Sequence, residues 1–136
     1  LGAAAAGLHV LREGLAGFEE LVARHRRPPL RLEEGRRLAR VAHALIDLSD
    51  GIAGDAARIA ERSGCRVVLE PARIPRAPGI EAVADLPFWT MGEDYELLAA
   101  VAPTDADALG LPVVGRCEEG SGVEPAGLAG WDSLRD

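Results

Sequence analysis

A chain of 136 residues with 48% apolar and 27% charged side chains has the size and composition of one core-forming domain, with room for an appendage. Its net charge of -7 argues against a general nucleic-acid binder, which carries a basic face. No apolar run approaches the ~18 residues that cross a bilayer, so no membrane span is expected.

The opening Leu1–Gly7 has no basic region before it, and His9, Arg12 and Glu13 soon interrupt it, so it does not read as a secretory leader. The chain also lacks a starting Met and reads as part of something longer. Residues 1–25 are expected to be helical, because Leu8, Leu11, Leu15, Phe18, Leu21 and Val22 recur at spacings of three and four. Gly7, Gly14 and Gly17 weaken that helix by ~1 kcal/mol each relative to Ala, while allowing another element to pack close.

Seven of the fifteen arginines fall between Arg24 and Arg40, with Pro28 and Pro29 among them. The prolines forbid one continuous helix and mark a linker. A solvated linker followed by a charged helix face is favoured over a phosphate clamp. Residues 33–43 read as a short helix, with Leu38, Val41 and Ala42 inward, that feeds the next strand.

The stretch Ala44-Leu45-Ile46-Asp47-Leu48-Ser49-Asp50-Gly51-Ile52 carries the clearest chemistry. Ala44–Ile46 reads as the end of a buried strand, and alternation sends Asp47 and Ser49 to one side with Leu48 on the other. Two carboxylates and a hydroxyl thus sit where a strand meets a helix N-terminus, a usual place for phosphate ligands and their metals. Mg²⁺ takes hard oxygen ligands, and one or two carboxylates plus substrate phosphates generally hold it. The plain alternative is that Ser49 or Asp50 caps the helix while Asp47 sits in a turn. An EF-hand is excluded, since Ile46 would occupy its first position.

Ile52–Arg62 reads as an amphipathic helix ended by Ser63-Gly64, with Asp55 near the positive end of its dipole. Arg66–Glu70 reads as a strand ended by Pro71. Irregular chain follows, then a short helix over 80–86. Gly92-Glu93-Asp94-Tyr95-Glu96 introduces a strand from Tyr95 to Val101 and could place Glu93 at a cleft mouth; a solvated turn is the alternative. Thr104–Leu109 reads as a helix capped by Thr104, Val113–Cys117 as a final core strand, and the tail from Gly120 as turns. Cys65 and Cys117 match no metal spacing and are expected as reduced, buried thiols in a cytoplasmic protein. His9, His25 and His43 suggest no metal site, no catalytic triad stands out, and no GxxxxGK[ST] loop occurs. Strands alternating with helices imply an α/β (α+β) fold, a layered mixed β-sheet with packed helices.

Together Ala44–Asp55, Gly92-Glu93-Asp94-Tyr95-Glu96-Leu97-Leu98 and Gly130-Trp131-Asp132 resemble the C-terminal half of the thiamine-monophosphate kinase family. That family lies in the superfamily of aminoimidazole ribonucleotide synthetase and selenophosphate synthetase. The resemblance implies the C-terminal α/β domain of that superfamily over residues 28–136, with 1–27 belonging to the end of a missing N-terminal domain. It further implies Mg²⁺ on Asp47 and Asp50, ATP on Ser49, and thiamine monophosphate against Glu93 and Trp131. The implied reaction moves the ATP γ-phosphoryl group to thiamine monophosphate, giving thiamine diphosphate, in an intact enzyme that is a homodimer. The isolated piece is expected to be inactive, since further metal carboxylates belong to the missing domain. Another ATP-dependent member of the superfamily, or a non-catalytic nucleotide-binding or interaction remnant, stays open as an alternative.

Overall fold

Helices packed on strands form the mixed α/β architecture that the sequence implies, with the strands divided between two small sheets. The computed structural model describes residues 1–128; Trp131 and the rest of the Gly-rich end lie outside the described residues. The helices are α1 (Ala3–Glu13), α2 (Glu19–Arg26), α3 (Leu32–Leu38), α4 (Ile52–Ser63), α5 (Ile80–Val83) and α6 (Pro103–Leu109). The strands are β1 (Ala44–Asp47), β2 (Arg66–Leu69), β3 (Leu97–Ala100), β4 (Gly115–Glu118) and β5 (Gly122–Glu124). Among the described residues no helix is long and apolar enough to cross a membrane.

The single helix expected over residues 1–25 is two. α1 stops at Gly14, whose φ of 65° is left-handed and whose N–H donates to the Val10 carbonyl. The leucine stripe is not its buried face either. Leu11 and Leu15 are each 40% exposed, whereas Ala3, Ala4, Ala6, Gly7 and Val10 are buried. A side chain on Gly7 would put its Cβ 2.1 Å from the Leu21 carbonyl oxygen, so α2 lies directly on the small-residue face. Close helix approach decides the buried side here, and bulky leucines cannot supply it.

β1 and β3 pair antiparallel, with Asp47 opposite Leu97 and Ala44 opposite Ala100. β1 is half-buried, not the fully buried strand expected: Ala44 and Ile46 pack on the core, while Leu45 is 38% exposed. In the second sheet β2 is central, antiparallel to β4 and parallel to β5. β4 begins at Gly115, two residues later than expected, and lies at the sheet edge with Arg116 and Cys117 exposed. β5 falls in the tail expected to hold only turns. Neither thiol is in the core: Cys65 is half-buried and Cys117 exposed. Burial and the adjoining Cys65 thiol push the Cys117 thiol up from its ordinary value.

Helix ends also moved. α3 ends at Leu38 and gives way to a turn closed by Val41 N–H on the Leu38 carbonyl. α6 starts with Pro103 in its first turn after Ala102, so Thr104 is inside the helix and not its cap. Proline's fixed φ suits that first turn and sets the start one residue earlier.

Two apolar clusters hold these pieces. One joins α4 (Ile52, Ala56, Ile59) to Leu48, Val67 and Leu69. The other joins α1 and Leu21 to Ile80 and Phe88. Phe88 is only 1% exposed, a burial that contributes roughly 1.5–3 kcal/mol.

Candidate functional site

The turn that follows β1 and the loop that precedes β3 are stitched together by main-chain hydrogen bonds. The N–H of Glu93 donates to the Ser49 carbonyl at 2.8 Å, and that of Tyr95 to the Leu48 carbonyl at 2.9 Å. Leu48 N–H donates back to the Glu96 carbonyl at 2.8 Å. Two glycines permit the approach. A Cβ on Gly92 would stand 2.0 Å from the Ser49 carbonyl oxygen, and one on Gly51 would stand 2.2 Å from that of Thr90. Gly51 also has a φ of 92°. The two acidic motifs, distant in sequence, are one structural unit.

Within that unit the side chains divide by burial. Asp47 and Glu93 are exposed, and Ser49 and Asp50 are half-buried. Glu93 and Tyr95 sit at φ of 70° and 51°, left-handed positions that side chains other than Gly's occupy at a cost. This is why β3 starts at Leu97 and not at Tyr95. The charge of Glu93 pushes the Tyr95 phenol up, with burial and the charges of Asp47 and Asp50 adding to it. Asp47, Asp50 and Glu93 therefore share one negative neighbourhood.

Sequence reasoning gave the cap of α4 to Ser49 or Asp50. The structure reverses this: Gly51 takes the N-cap position without a side-chain bond, and Asp55 reaches back instead. Its Oδ2 accepts the Asp50 N–H at 3.1 Å, and its Oδ1 accepts from Arg58 Nη1 at 2.7 Å. Arg58 Nη2 also donates to Asp50 Oδ2. Asp55 is fully buried, and desolvation pushes its carboxyl up against the opposing pull of the Asp50 N–H and Arg58. The dipole placement of Asp55 does not reveal this clasp; the Asp-x-x-Arg spacing on one helix face is the sequence signal for it.

Two more acids bind the loop to the start of the chain. Asp94 is buried and accepts the N–H groups of Gly2 at 2.7 Å and Ala4 at 3.3 Å; burial raises its carboxyl despite these donors. Glu96 accepts from Arg24 at 2.9 Å and from Arg31 at 2.6 and 2.7 Å. Two members of the arginine run are thus committed to an internal carboxylate, where a solvated linker was expected.

Trp131 lies outside the described residues. Trp89 is an aromatic that sequence reasoning passed over, with the Arg76 guanidinium 5.1 Å from its ring centre. It lines an open concavity of about 450 Å³ with Ile80, Leu86 and Pro87. Another, of about 420 Å³, runs between α1 and α2 beside Val10, Phe18 and Val22. Neither concavity includes Asp47, Asp50 or Glu93; Asp47 and Glu93 are exposed among the described residues.

Among the described residues no group of three or more His, Cys, Asp or Glu side chains gathers as a metal cage. The donors at the corner nonetheless suit Mg²⁺: two carboxylates and a hydroxyl, all hard oxygens, with Asp47 exposed. Mg²⁺ commonly takes few protein ligands and completes its shell from water and phosphate.

Comparison with known proteins gives this corner a context. Residues 1–119 match the family described as AIR synthase related protein, C-terminal domain. The chain is 37% identical over 120 residues to the thiamine-monophosphate kinase of Haemophilus influenzae, covering 82% of this chain and 37% of that one. It is 36% identical over 150 aligned positions to that of Mycobacterium tuberculosis, covering 98% and 44%. Among solved structures it resembles the thiamine-monophosphate kinase of Stenotrophomonas maltophilia, with a TM-score of 0.79, 31% identity, and coverage of 90% and 46%. It also resembles AaThiL complexed with AMPPCP and TMP, with a TM-score of 0.82, 30% identity, and coverage of 96% and 48%. The chain spans less than half the length of these relatives. With its fold, its paired motifs and its match from residue 1 to residue 119, the chain belongs to the AIR synthase related protein C-terminal domain family.

Proposed function

We propose that this chain is the C-terminal half of a kinase that transfers the γ-phosphoryl group of ATP to thiamine monophosphate, giving ADP and thiamine diphosphate. The stitching of the Asp47–Gly51 turn to the Gly92–Glu96 loop supports this most, because it brings together the segment read as cation-binding and the segment read as substrate-binding. The similar structure bound to AMPPCP and TMP supports the same pair of ligands.

In this reading Asp47 and Asp50 hold Mg²⁺, which neutralises polyphosphate charge when bound. Ser49 contacts ATP, and Glu93, with Trp131 from the tail, contacts thiamine monophosphate; a carboxylate and an aromatic face suit a cationic thiazolium. The acceptor is already an ionised phosphate, so no side chain needs to remove a proton. This chain's contribution is alignment and charge balance. Residues 1–27 form the hand-over from a preceding domain to residues 28–136, and that domain supplies the remaining metal ligands and the surface of a homodimer. The cytoplasm, where ATP and reduced thiols occur, is the setting.

The test is thiamine diphosphate formation from ATP and thiamine monophosphate by the natural protein that carries this sequence. Asp50→Asn is expected to lower the rate about 100-fold or more, with folding unchanged by circular dichroism. The 136-residue chain alone is expected to give no product; turnover by it would contradict the assignment as one half of a site. Transfer to some other acceptor, with none to thiamine monophosphate, would move the protein to another member of the superfamily.

A further inference from the structure

Arg58 has no role in the reaction as drawn, yet it holds the carboxylate assigned to Mg²⁺. Its two terminal nitrogens are shared between two acids, Nη1 on Asp55 at 2.7 Å and Nη2 on Asp50. Asp55 is fully buried and anchored through the Asp50 N–H, so it is the fixed end of this bridge. The Arg58 side chain is 53% exposed and that of Asp50 25%, so the link to Asp50 is the end that solvent and ligands reach. A cation seated at Asp50 meets a guanidinium already there, and both draw on the same negative oxygen.

We propose that Arg58 is a resident counter-cation for Asp50, so that a divalent ion and the guanidinium compete for one carboxylate. The inference rests on the assignment of Asp50 as a metal ligand. Before the metal arrives, Arg58 offsets the charge of Asp50 and keeps its carboxylate turned toward α4. On metal binding, Arg58 gives up Asp50 and stays tied to Asp55. Arg58 is in this sense a positioning residue that sets how much divalent ion the corner needs before it fills.

Mn²⁺ serves as the probe, read by the loss of its free electron-paramagnetic-resonance signal in the natural protein without nucleotide. The site in question is the one that Asp50→Asn removes. Arg58→Gln is expected to tighten Mn²⁺ at that site about fivefold to tenfold, as removal of one adjoining positive charge implies. Arg58→Lys, which keeps the charge without the two-handed reach, is expected to fall between the two and guards against a folding defect in the first variant. The metal-free thermal midpoint of Arg58→Gln is expected to be lower than that of the parent, with the gap narrowing as Mn²⁺ is added. Equal or weaker Mn²⁺ binding in Arg58→Gln, with the parent site intact, would overturn the competition and leave the metal assignment standing. If neither protein shows an Asp50-dependent site, the metal assignment falls and the competition with it.

Discussion

Glu93 and Tyr95 hold left-handed backbone angles although neither is Gly, and both lie on the exposed face of the loop. Such angles cost folding energy and persist where neighbouring bonds enforce them, here the N–H groups that each donates to the turn after β1. Relief of that strain and loss of the carboxylate separate cleanly in one variant. Glu93→Gly is expected to raise the urea midpoint by an amount equal to about 0.5–1 kcal/mol while weakening thiamine monophosphate binding. A lower midpoint would mean that the left-handed turn is not strained. At this scale the sequence showed which residues carry charge, but not which way each points. Asp94 and Glu93 are adjacent and chemically alike, yet one is buried on the start of α1 and the other faces solvent. Only the tertiary position of Gly2 and Ala4 tells them apart.

Among the elements, the contact of α1 with α2 gives the sharpest contest between local and tertiary preference. Ala is favoured over Gly inside a helix by roughly 1 kcal/mol. At Gly7 the added methyl would sit 2.1 Å from a backbone oxygen of Leu21, which cannot rotate away. Overlap outweighs propensity, so Gly7→Ala is expected to destabilise the protein by about 1–2 kcal/mol net in chemical denaturation. A gain in stability would show that the two helices pack more loosely. The same contact explains why residues 1–25 misled as a sequence. Leucine periodicity is the louder pattern, and the close-packing face is written in Ala and Gly, which carry little weight in such patterns. α4 was legible from Ile52 to its Gly64 end because amphipathic spacing and a left-handed cap are both local. β5 was not, because Val123 is its only sizeable apolar residue and its pairing with β2 is set by distant chain.

Across the molecule, Glu96 links segments far apart in the chain. It draws Arg24 of α2 and Arg31 before α3 onto the loop that also contacts the acidic turn. Burial alone would push the Glu96 carboxyl up, but the Arg31 hydrogen bond and the charges of Arg31 and Arg24 outweigh it and hold it below its ordinary value. An acid lowered in this way stabilises the fold above the pH at which the unfolded carboxyl titrates, roughly 4.3, and loses that contribution as pH falls through the lower folded value. The stability difference between the parent and Glu96→Gln is therefore expected to be about 1 kcal/mol near neutrality, discounted for partial exposure. It should shrink as pH drops below about 4.3. A difference independent of pH in thermal melts would rule out the charged clasp. The candidate site is visible in the sequence as two acidic strings, but their union is not, since nothing local in Leu48-Ser49 announces a partner in Glu93 and Tyr95. The arginine run was equally silent about Glu96.

The join between the two acidic loops is written in amide and carbonyl groups, so exchange of Ser49, Asp50, Glu93 or Tyr95 leaves the seam whole. Gly51 and Gly92 are different, because any larger residue there would wedge it open. Descent with modification can then exchange the side chains of either loop while the two backbones keep their spacing. Such a seam tolerates new side chains more readily than a new backbone path.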